Sequence, residues 1–274
     1  MWAGQYQNRS TLIGEIEELM KLYARQQGEG EHLISVHGLF GSQENLGAIN
    51  RQLAEKFRVH GLDVRNHGRS PHDAAMDYSV MAEDIVEYLD EQQIEKAHLL
   101  GHSMGGKVVM EVALAYPDRV ERLAVMDIAP VHYKVRRHDD VFSGLFAVDL
   151  ENMQKRGDAD QALRQHVEEL AVRSFLLKNL YRNEAGSYSW RMNLDAIHHH
   201  YLNILAGPSA KGSFEGDVLF LKGGHSDYIL AEHREEVLKH FPNASMREIA
   251  DTGHWLHAEK PELVARTLMR FLES

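Results

Sequence analysis

Short apolar runs alternate with longer amphipathic stretches along most of the chain. Runs rich in leucine and β-branched residues, bounded by polar or glycine positions, predict buried strands. The predicted strands are residues 32–36, 59–63, 97–100, 123–128, 218–222 and 246–250. Alternation of such strands with helical patterns predicts an α/β fold, with a mostly parallel central sheet and helices on both of its faces.

The amphipathic stretches between the strands show helical periodicity. Residues 45–57 place Ile49 and Leu53 on one face, and residues 78–89 have the same spacing of apolar positions. A last helix follows Pro261, a residue that suits the first turn of a helix. These helices are the expected crossovers of the sheet.

The stretch from residue 131 to 213 departs from this alternation. Its helical patterns, with no strand pattern between them, cover residues 141–155, 160–180 and 194–205. An all-helical insertion between two strands predicts a cap over the end of the sheet where ligand-binding loops lie. The expected organisation is a core made of residues 20–130 and 214–274, interrupted by a helical cap over 131–213.

Residues 1–19 precede the point where the alternation begins. One interpretation is an appended N-terminal extension, either upstream sequence or sequence introduced for expression. The other is an ordinary N-terminal helix packed on the body. Both interpretations stay open at this point.

Composition and charge narrow the class of protein. The chain has 274 residues, 43% hydrophobic and 26% charged, which is typical of a globular protein with one large domain or one domain with an insertion. The net charge of −11 repels phosphate backbones and anionic lipids, so no nucleic-acid partner is expected. The chain has no cysteine, which excludes disulfides and thiolate nucleophiles.

Targeting patterns are also missing from the sequence. The N-terminus lacks the uninterrupted apolar core of a signal peptide, and no apolar segment has the length needed to span a bilayer. The expectation is a cytoplasmic protein without membrane insertion.

A G-x-S-x-G motif from Gly101 to Gly105 lies between a predicted strand and a helical pattern. This context is typical of the nucleophile turn of α/β-hydrolases, in which small neighbours allow a sharp, strained bend that exposes Ser103. The start of the following helix adds backbone N–H groups near developing negative charge. The structural alternative is a serine N-cap in a glycine-rich turn.

His254 is the candidate general base among the 18 histidines of the chain. A serine hydroxyl needs a neighbouring imidazole to take its proton. His254 lies between the last predicted strand and the last helix, which is the place of the base in the order serine, acid, histidine. His257 comes where the next helix begins and is interpreted as structural.

Two aspartates are candidates for the acid that orients His254. The usual place is the loop after the strand 218–222, but Ser226 occupies the usual position there and Asp227 comes one residue later. Asp127 lies at the end of the preceding strand, from which several α/β-hydrolases take their acid. A shift of one residue can turn a carboxylate away from its target, which favours Asp127 and leaves Asp227 as the alternative. A strand-end carboxylate that fixes the start of the cap is the structural interpretation of Asp127.

The segment from His37 to Ser42 follows the first strong strand, where α/β-hydrolases supply a second oxyanion donor. The expected donors are the backbone N–H groups of Leu39 and Met104. Because the backbone donates, the side chain at each position is free to vary. The alternative is a plain strand-to-helix turn.

Several segments together resemble the bacterial α/β-hydrolase esterases of the YbfF type, whose relatives also occur in mitochondria. The segments are HGLFGS (37–42), NLG (45–47), DVRNHGRSP (63–71), GHSMGGK (101–107), DIAP (127–130), RRHD (136–139), GGHS (223–226) and GHWLHAEKP (253–261). The resemblance extends from about residue 20 to the C-terminus. It implies the α/β-hydrolase fold and the triad Ser103, Asp127 and His254, with a serine at the usual acid position. Asp227 is a departure from the family pattern.

The resemblance also implies the chemistry. A small-molecule carboxylic ester, and also a thioester such as an acyl-CoA, would be hydrolysed through an acyl-enzyme on Ser103. Neither a metal nor an organic cofactor is needed for this reaction. Rival functions of the same fold are cofactor-free haloperoxidases, carbon–carbon bond hydrolases and ligand-binding receptors, and a measured turnover rate separates a receptor from the enzymes.

Overall fold

A computed structural model describes residues 20–274. These residues form a seven-stranded sheet and a separate two-stranded sheet. The strands, in chain order, are β1 (Ala24–Gln27), β2 (Glu31–Val36), β3 (Phe57–Leu62), β4 (Ala97–His102), β5 (Val120–Met126), β6 (Leu180–Arg182), β7 (Tyr188–Trp190), β8 (Asp217–Gly223) and β9 (Ala244–Ile249). Each of the six predicted strands overlaps a strand of the large sheet. Residues 1–19, with the two interpretations of that segment, lie outside the described residues.

Helices connect the strands of the large sheet. They are α1 (Gly47–Leu53), α2 (Tyr78–Glu91), α3 (Met104–Ala115), α4 (Asp139–Phe146), α5 (Arg156–Leu163), α6 (Leu170–Leu177), α7 (Leu194–His199), α8 (Tyr201–Leu205), α9 (Arg234–His240), α10 (Leu256–Glu259) and α11 (Pro261–Leu272). Short 3₁₀ turns precede α1, β5 and α9. None of the helices within residues 20–274 combines the length and apolar character needed to cross a lipid bilayer.

The large sheet has the strand order β1-β3-β2-β4-β5-β8-β9. β1 pairs with β3 in antiparallel direction, and all other pairs are parallel. The carboxyl ends of β2, β4, β5, β8 and β9 therefore lie along one edge of the sheet, where loops from distant parts of the chain meet. This architecture confirms the predicted fold class.

Two hydrophobic cores cover the two faces of the sheet. Side chains alternate between the faces of a strand, so in β2 Leu33 packs in one core and Ile34 in the other. Leu33 lies in the core that includes Ile49 of α1 and Leu268 of α11. Ile34 lies in the core formed with α2 and α3. Burial on both faces explains why these strands are continuous apolar runs in the sequence.

The segment 131–213 contains five of the helices, α4 to α8, and also the hairpin of β6 and β7. The expectation of helices alone was wrong at this hairpin. The turn between its strands is closed by hydrogen bonds between Asn183 and Ser187 (N–O 2.8 Å) and between Gly186 and Asn183 (N–O 2.9 Å). Gly186 has a φ of 79°, which glycine adopts without steric strain. Strands of three residues are too short for an alternating pattern to stand out in the sequence.

Candidate active site

Ser103 lies between β4 and α3 in a strained backbone conformation, with φ 54° and ψ −120°. The chain can bend this sharply because its neighbours are glycines. A Cβ on Gly101 would lie 2.2 Å from the carbonyl oxygen of Gly105, and one on Gly105 would lie 2.4 Å from that of His37. Larger residues at these positions would push the strand, the turn and the helix apart. The G-x-S-x-G pattern therefore has a steric reason in this fold.

Three side chains from three loops form a continuous hydrogen-bond chain. The Ser103 hydroxyl lies 2.9 Å from His254 Nε2, and His254 Nδ1 lies 2.7 Å from Asp127 Oδ2. In the arrangement that activates a serine, the hydroxyl donates to Nε2 and Nδ1–H donates to the carboxylate. Asp127 and Ser103 are 127 and 151 positions away from His254 in the sequence. The fold brings the three together at the edge of the sheet.

The Asp127 carboxylate is fully buried at the end of β5. The backbone N–H of Gly223 donates to its Oδ1 at 2.9 Å, and the hydroxyl of Ser226 donates to its Oδ2. Asp127 itself has a positive φ of 52°, and its N–H donates to the carbonyl of Leu221 on the neighbouring strand β8. The carboxylate is thus oriented by fixed donors, so that its position relative to His254 does not depend on a flexible loop.

Asp227, the alternative acid, points elsewhere. Its carboxylate lies 2.6 Å from Arg137, and 63% of its side chain is exposed. Hydrogen bonding to the Arg137 guanidinium lowers the pKa of Asp227. Of the two candidates, the structure brings Asp127 to His254 and places Asp227 in an ion pair at the surface. Ser226, which occupies the usual acid position, donates a hydrogen bond to Asp127.

The loop after β2 passes directly beside the nucleophile. A Cβ on Gly38 would lie 3.2 Å from the Cβ of Ser103 and 3.1 Å from Nδ1 of His102. Within residues 20–274, no hydrogen-bond acceptor pairs with the backbone N–H of Leu39 or of Met104, the first residue of α3. Both residues line the pocket that contains Ser103. Their N–H groups are in the right loops to bind an oxyanion formed next to Ser103.

Two buried histidines support this loop, and neither role was predicted from the sequence. His67 Nε2 accepts from the N–H of Phe40, and His37 Nε2 accepts from that of Val64, each at 3.2 Å. His37 Nδ1 donates to the carbonyl of Gly38 at 2.8 Å. Burial lowers the pKa of His37 to about 4 and that of His67 to about 3. Both rings are therefore neutral at pH 7, as a ring that accepts one hydrogen bond and donates another must be.

Other aromatic rings surround His254. Tyr228 stacks on it with a centroid distance of 3.8 Å and an interplanar angle of 16°. His102 Nε2–H donates to the backbone carbonyl of His254 at 2.8 Å, and the ring of His257 lies 4.2 Å from that of His102. Burial, reinforced by the neighbouring histidines, lowers the pKa of His102 well below its ordinary value. His257 lies behind this group, and burial lowers its pKa to about 3.

A pocket opens at Ser103. Its wall is mostly apolar and aromatic and combines the sheet-end loops with the segment 131–213. The lining residues are Leu39, Tyr78, Ser103, Met104, Lys107, Ile128, Tyr133, Val135, Arg137, His138, Tyr201, Ile204, Leu205 and Tyr228. In the described part of the chain, no cluster of three or more His, Cys, Asp or Glu side chains is arranged to hold a metal ion.

Lys107 of α3 lines this pocket and is fully buried. Its ammonium donates to the carbonyls of Val131 (2.9 Å), Leu205 (3.1 Å) and Ala206. Burial lowers the pKa of Lys107 to about 7. The side chain therefore connects the helix that follows the nucleophile to both ends of the segment 131–213. A charged residue among the mostly apolar residues of α3 was the available sequence signal for this role.

Known proteins place the chain in a family. The family described as "alpha/beta hydrolase fold" matches residues 31–261. Esterase YbfF of Escherichia coli (strain K12) is 42% identical over 249 residues, which cover 91% of this chain and 96% of that protein. The "sn-1-specific diacylglycerol lipase ABHD11" of Danio rerio is 38% identical over 254 residues, covering 90% of this chain and 80% of the relative.

A solved structure agrees with these sequence matches. The "Marine microorganism esterase" superposes with a TM-score of 0.90 at 38% identity, covering 92% of this chain and 99% of that chain. Its similarity extends through the large sheet and the segment 131–213 because the coverage of both chains is nearly complete. The chain belongs to the α/β-hydrolase family and, within it, is a serine ester hydrolase of the YbfF type.

Proposed function

We propose that the chain hydrolyses small-molecule carboxylic esters through an acyl-enzyme, with Ser103 as nucleophile, His254 as general base and Asp127 as the acid of the triad. The observation that supports this proposal is the hydrogen-bond chain from Ser103 to His254 (2.9 Å) and from His254 to Asp127 (2.7 Å). A nucleophile, a base and an orienting carboxylate in this geometry are what acyl transfer requires.

In the acylation step, the Ser103 hydroxyl attacks the ester carbonyl and His254 Nε2 takes the hydroxyl proton. The backbone N–H groups of Leu39 and Met104 bind the oxyanion of the tetrahedral intermediate. Asp127 stabilises the imidazolium that forms, because its buried carboxylate accepts from His254 Nδ1. His254 then gives its proton to the leaving alcohol, and the acyl group stays on Ser103.

In the deacylation step, His254 takes a proton from water, which attacks the acyl-enzyme. The bond between the acyl carbon and Ser103 Oγ then breaks, and His254 returns the proton to Oγ, which releases the carboxylic acid and regenerates the Ser103 hydroxyl. The same intermediate is reached from a thioester, so acyl thioesters such as acyl-CoA are the second substrate class to test. The lipase activity in the name of the Danio rerio relative makes acylglycerols a third.

We propose further that the segment 131–213 acts as a cap that closes the pocket and selects the substrate. Seven of the pocket-lining residues belong to this segment: Tyr133, Val135, Arg137, His138, Tyr201, Ile204 and Leu205. A cap of this kind excludes water from the acyl-enzyme until the leaving group has departed.

Steady-state hydrolysis of p-nitrophenyl esters from acetate to decanoate tests the proposal, with acyl-CoA substrates of matching chain length in parallel. Ser103→Ala should lower kcat by about four to six powers of ten. Ser79→Ala, an exposed serine of α2, is the matched control and should retain wild-type rates. Wild-type turnover that survives Ser103→Ala would contradict the acyl-enzyme mechanism, and a wild-type protein that hydrolyses none of these substrates would contradict the function.

A further inference from the structure

Most polar side chains on the pocket wall are already engaged within the protein. The Lys107 ammonium donates to three backbone carbonyls. The hydroxyl of Tyr78 donates to the carbonyl of Ile204 at 2.5 Å, and that of Tyr133 donates to the carbonyl of Tyr228 at 2.6 Å. These groups shape the wall, but their donors are used and they offer little to a substrate.

His138 is different, although it lies on the same wall. It immediately precedes α4, and its ring is held edge-on against two aromatic rings, Phe40 at 5.9 Å and Tyr201 at 5.7 Å between centroids. The Tyr201 hydroxyl lies 2.7 Å from His138 Nδ1. One nitrogen of the ring is thus engaged, and the packing fixes the direction of the other.

That other nitrogen, Nε2, makes no hydrogen bond to any of residues 20–274. It is also not sealed inside the protein, in contrast to Nδ1 of His257, which is buried without a partner. His138 lines the pocket that contains Ser103. Burial, together with the charges of His254 and Arg137, lowers the pKa of His138 to about 4, so the ring is neutral at pH 7 and carries one N–H.

We propose that His138 is a specificity-determining residue, whose Nε2–H donates a hydrogen bond to a substrate oxygen outside the ester group that is cleaved. We assign the Tyr201 hydroxyl as the donor to Nδ1, which leaves the ring proton on Nε2, directed into the pocket that His138 lines. The preferred substrates are therefore esters that carry a further oxygen acceptor, such as an ether, a hydroxyl or a second ester. This inference rests on the ester hydrolysis proposed above.

The expected substrate preference follows from the free-energy cost of leaving a hydrogen-bond donor unpaired. In a mostly apolar pocket, an alkyl chain next to Nε2–H removes water from the donor without replacing the hydrogen bond. An oxygen at the same place restores it. A site that presents a fixed donor therefore discriminates against the analogue that lacks the acceptor.

Tyr228 is a second pocket residue with a polar group that can be compared with His138. Its hydroxyl also has no hydrogen-bond partner among residues 20–274, and the residue lines the same pocket. Tyr228→Phe removes this hydroxyl and keeps the ring that stacks on His254. The pair of variants therefore separates the role of the His138 ring from that of the Tyr228 hydroxyl.

The experiment compares kcat/KM for isosteric ester pairs that differ by one ether oxygen. On the acyl side the pair is p-nitrophenyl methoxyacetate and p-nitrophenyl butyrate; on the alcohol side it is 2-methoxyethyl butyrate and butyl butyrate. The two members of a pair differ in intrinsic reactivity, so the measured quantity is their ratio in each variant relative to wild type. His138→Phe should lower this ratio by about tenfold in one of the two pairs, which also identifies the side on which His138 acts.

Two further variants make the result specific. His138→Gln places an amide N–H near the position of Nε2 and should restore most of the ratio. His132→Phe changes an exposed histidine of the same loop and should leave the ratio at its wild-type value. An unchanged ratio in His138→Phe for both pairs, or a loss seen in Tyr228→Phe instead, overturns the role of His138. A wild type that hydrolyses neither member of any pair overturns the proposed function as well, and so the two failures are distinguishable.

Discussion

The sheet-end loops and the segment 131–213 meet at one pocket, yet different forces position them. The loops that carry Ser103 and Asp127 are set by the backbone: both residues have positive φ values, 54° and 52°, and their N–H groups bond to neighbouring strands. The segment 131–213 is attached largely through side-chain hydrogen bonds, two sets of which come from α3. Lys107 donates to carbonyls at both of its ends, and the buried Glu111 accepts from the N–H of Ser209 at 2.7 Å and of Ala210 at 2.9 Å.

The sheet-end loops and the segment 131–213 both depend on residues of one helix, α3. Ser103, Lys107 and Glu111 are spaced by four residues, so they lie along one side of α3 and its N-terminal turn. Ser103 would act on the substrate, and Lys107 and Glu111 hold the segment 131–213. Substitutions at the sheet end should therefore change the rate of chemistry, while substitutions along α3 should change stability and the closure of the pocket.

The largest expected effect concerns the two aspartates. Asp127→Asn should lower kcat by about ten thousandfold, because the amide favours the wrong tautomer of His254. Asp227→Asn is the matched control and should leave kcat within about twofold, since it alters an exposed ion pair with Arg137. Steady-state kinetics with p-nitrophenyl butyrate measures both. A dead Asp227→Asn beside an active Asp127→Asn would move the acid to the later strand.

Lys107→Met should lower the free energy of unfolding by about 3 kcal/mol, because the three carbonyls that accept from the ammonium lose their donor. Lys96→Met is the control: Lys96 forms an exposed ion pair with Glu121 at 3.0 Å, and its loss should change stability by less than about 0.5 kcal/mol. Urea unfolding followed by fluorescence gives both values. Equal stability of the two variants would show that Lys107 does not secure the segment 131–213.

The stability difference between wild type and Lys107→Met should also depend on pH. Burial lowers the pKa of Lys107 from 10.5 to about 7, so between these values the unfolded chain binds a proton that the folded chain does not. Wild-type stability should therefore rise relative to Lys107→Met as pH increases from 7 towards 10, and the difference should be constant below pH 7. A difference that is flat across the whole range would mean that the folded-state pKa is not lowered.

The smallest expected change in kcat concerns His102, the residue that donates to the backbone of His254. His102→Leu removes the donor to the His254 carbonyl and should lower kcat by about tenfold with little change in KM. His102→Gln places an amide N–H near the position of Nε2 and should recover most of the rate. Both variants keep a side chain in the buried space, so thermal unfolding serves as the control for packing. Equal rates for Leu and Gln would assign His102 a packing role only.

The sequence predicted those parts of the protein that depend on residues close together in the chain. All six expected strands correspond to strands of the large sheet, and in the central ones, such as β4, burial on both faces leaves a continuous apolar run. The turn at Ser103 was predicted because close backbone contacts at Gly101 and Gly105 leave no room for a Cβ. The hairpin of β6 and β7 was missed, since three-residue strands carry no readable period.

The candidate acid shows where local signals end. The sequence favoured Asp127 and left Asp227 open, because both follow strands that end at the same edge of the sheet. Only the three-dimensional arrangement separates them: Asp127 lies 2.7 Å from His254, while Asp227 pairs with Arg137. A one-residue shift in a loop changes the direction of a side chain, and sequence spacing does not record direction.

The sequence by itself determined the α/β fold class, the strand that leads to Ser103 and the loop that carries His254. Tertiary structure alone decided the wall of the pocket, the tie between Lys107 and both ends of the segment 131–213, and the neutral histidines behind the loops. The physical reason is the range of the interactions. Backbone strain and apolar periodicity act between close neighbours in the chain, whereas buried hydrogen bonds and pKa shifts depend on partners far away in sequence.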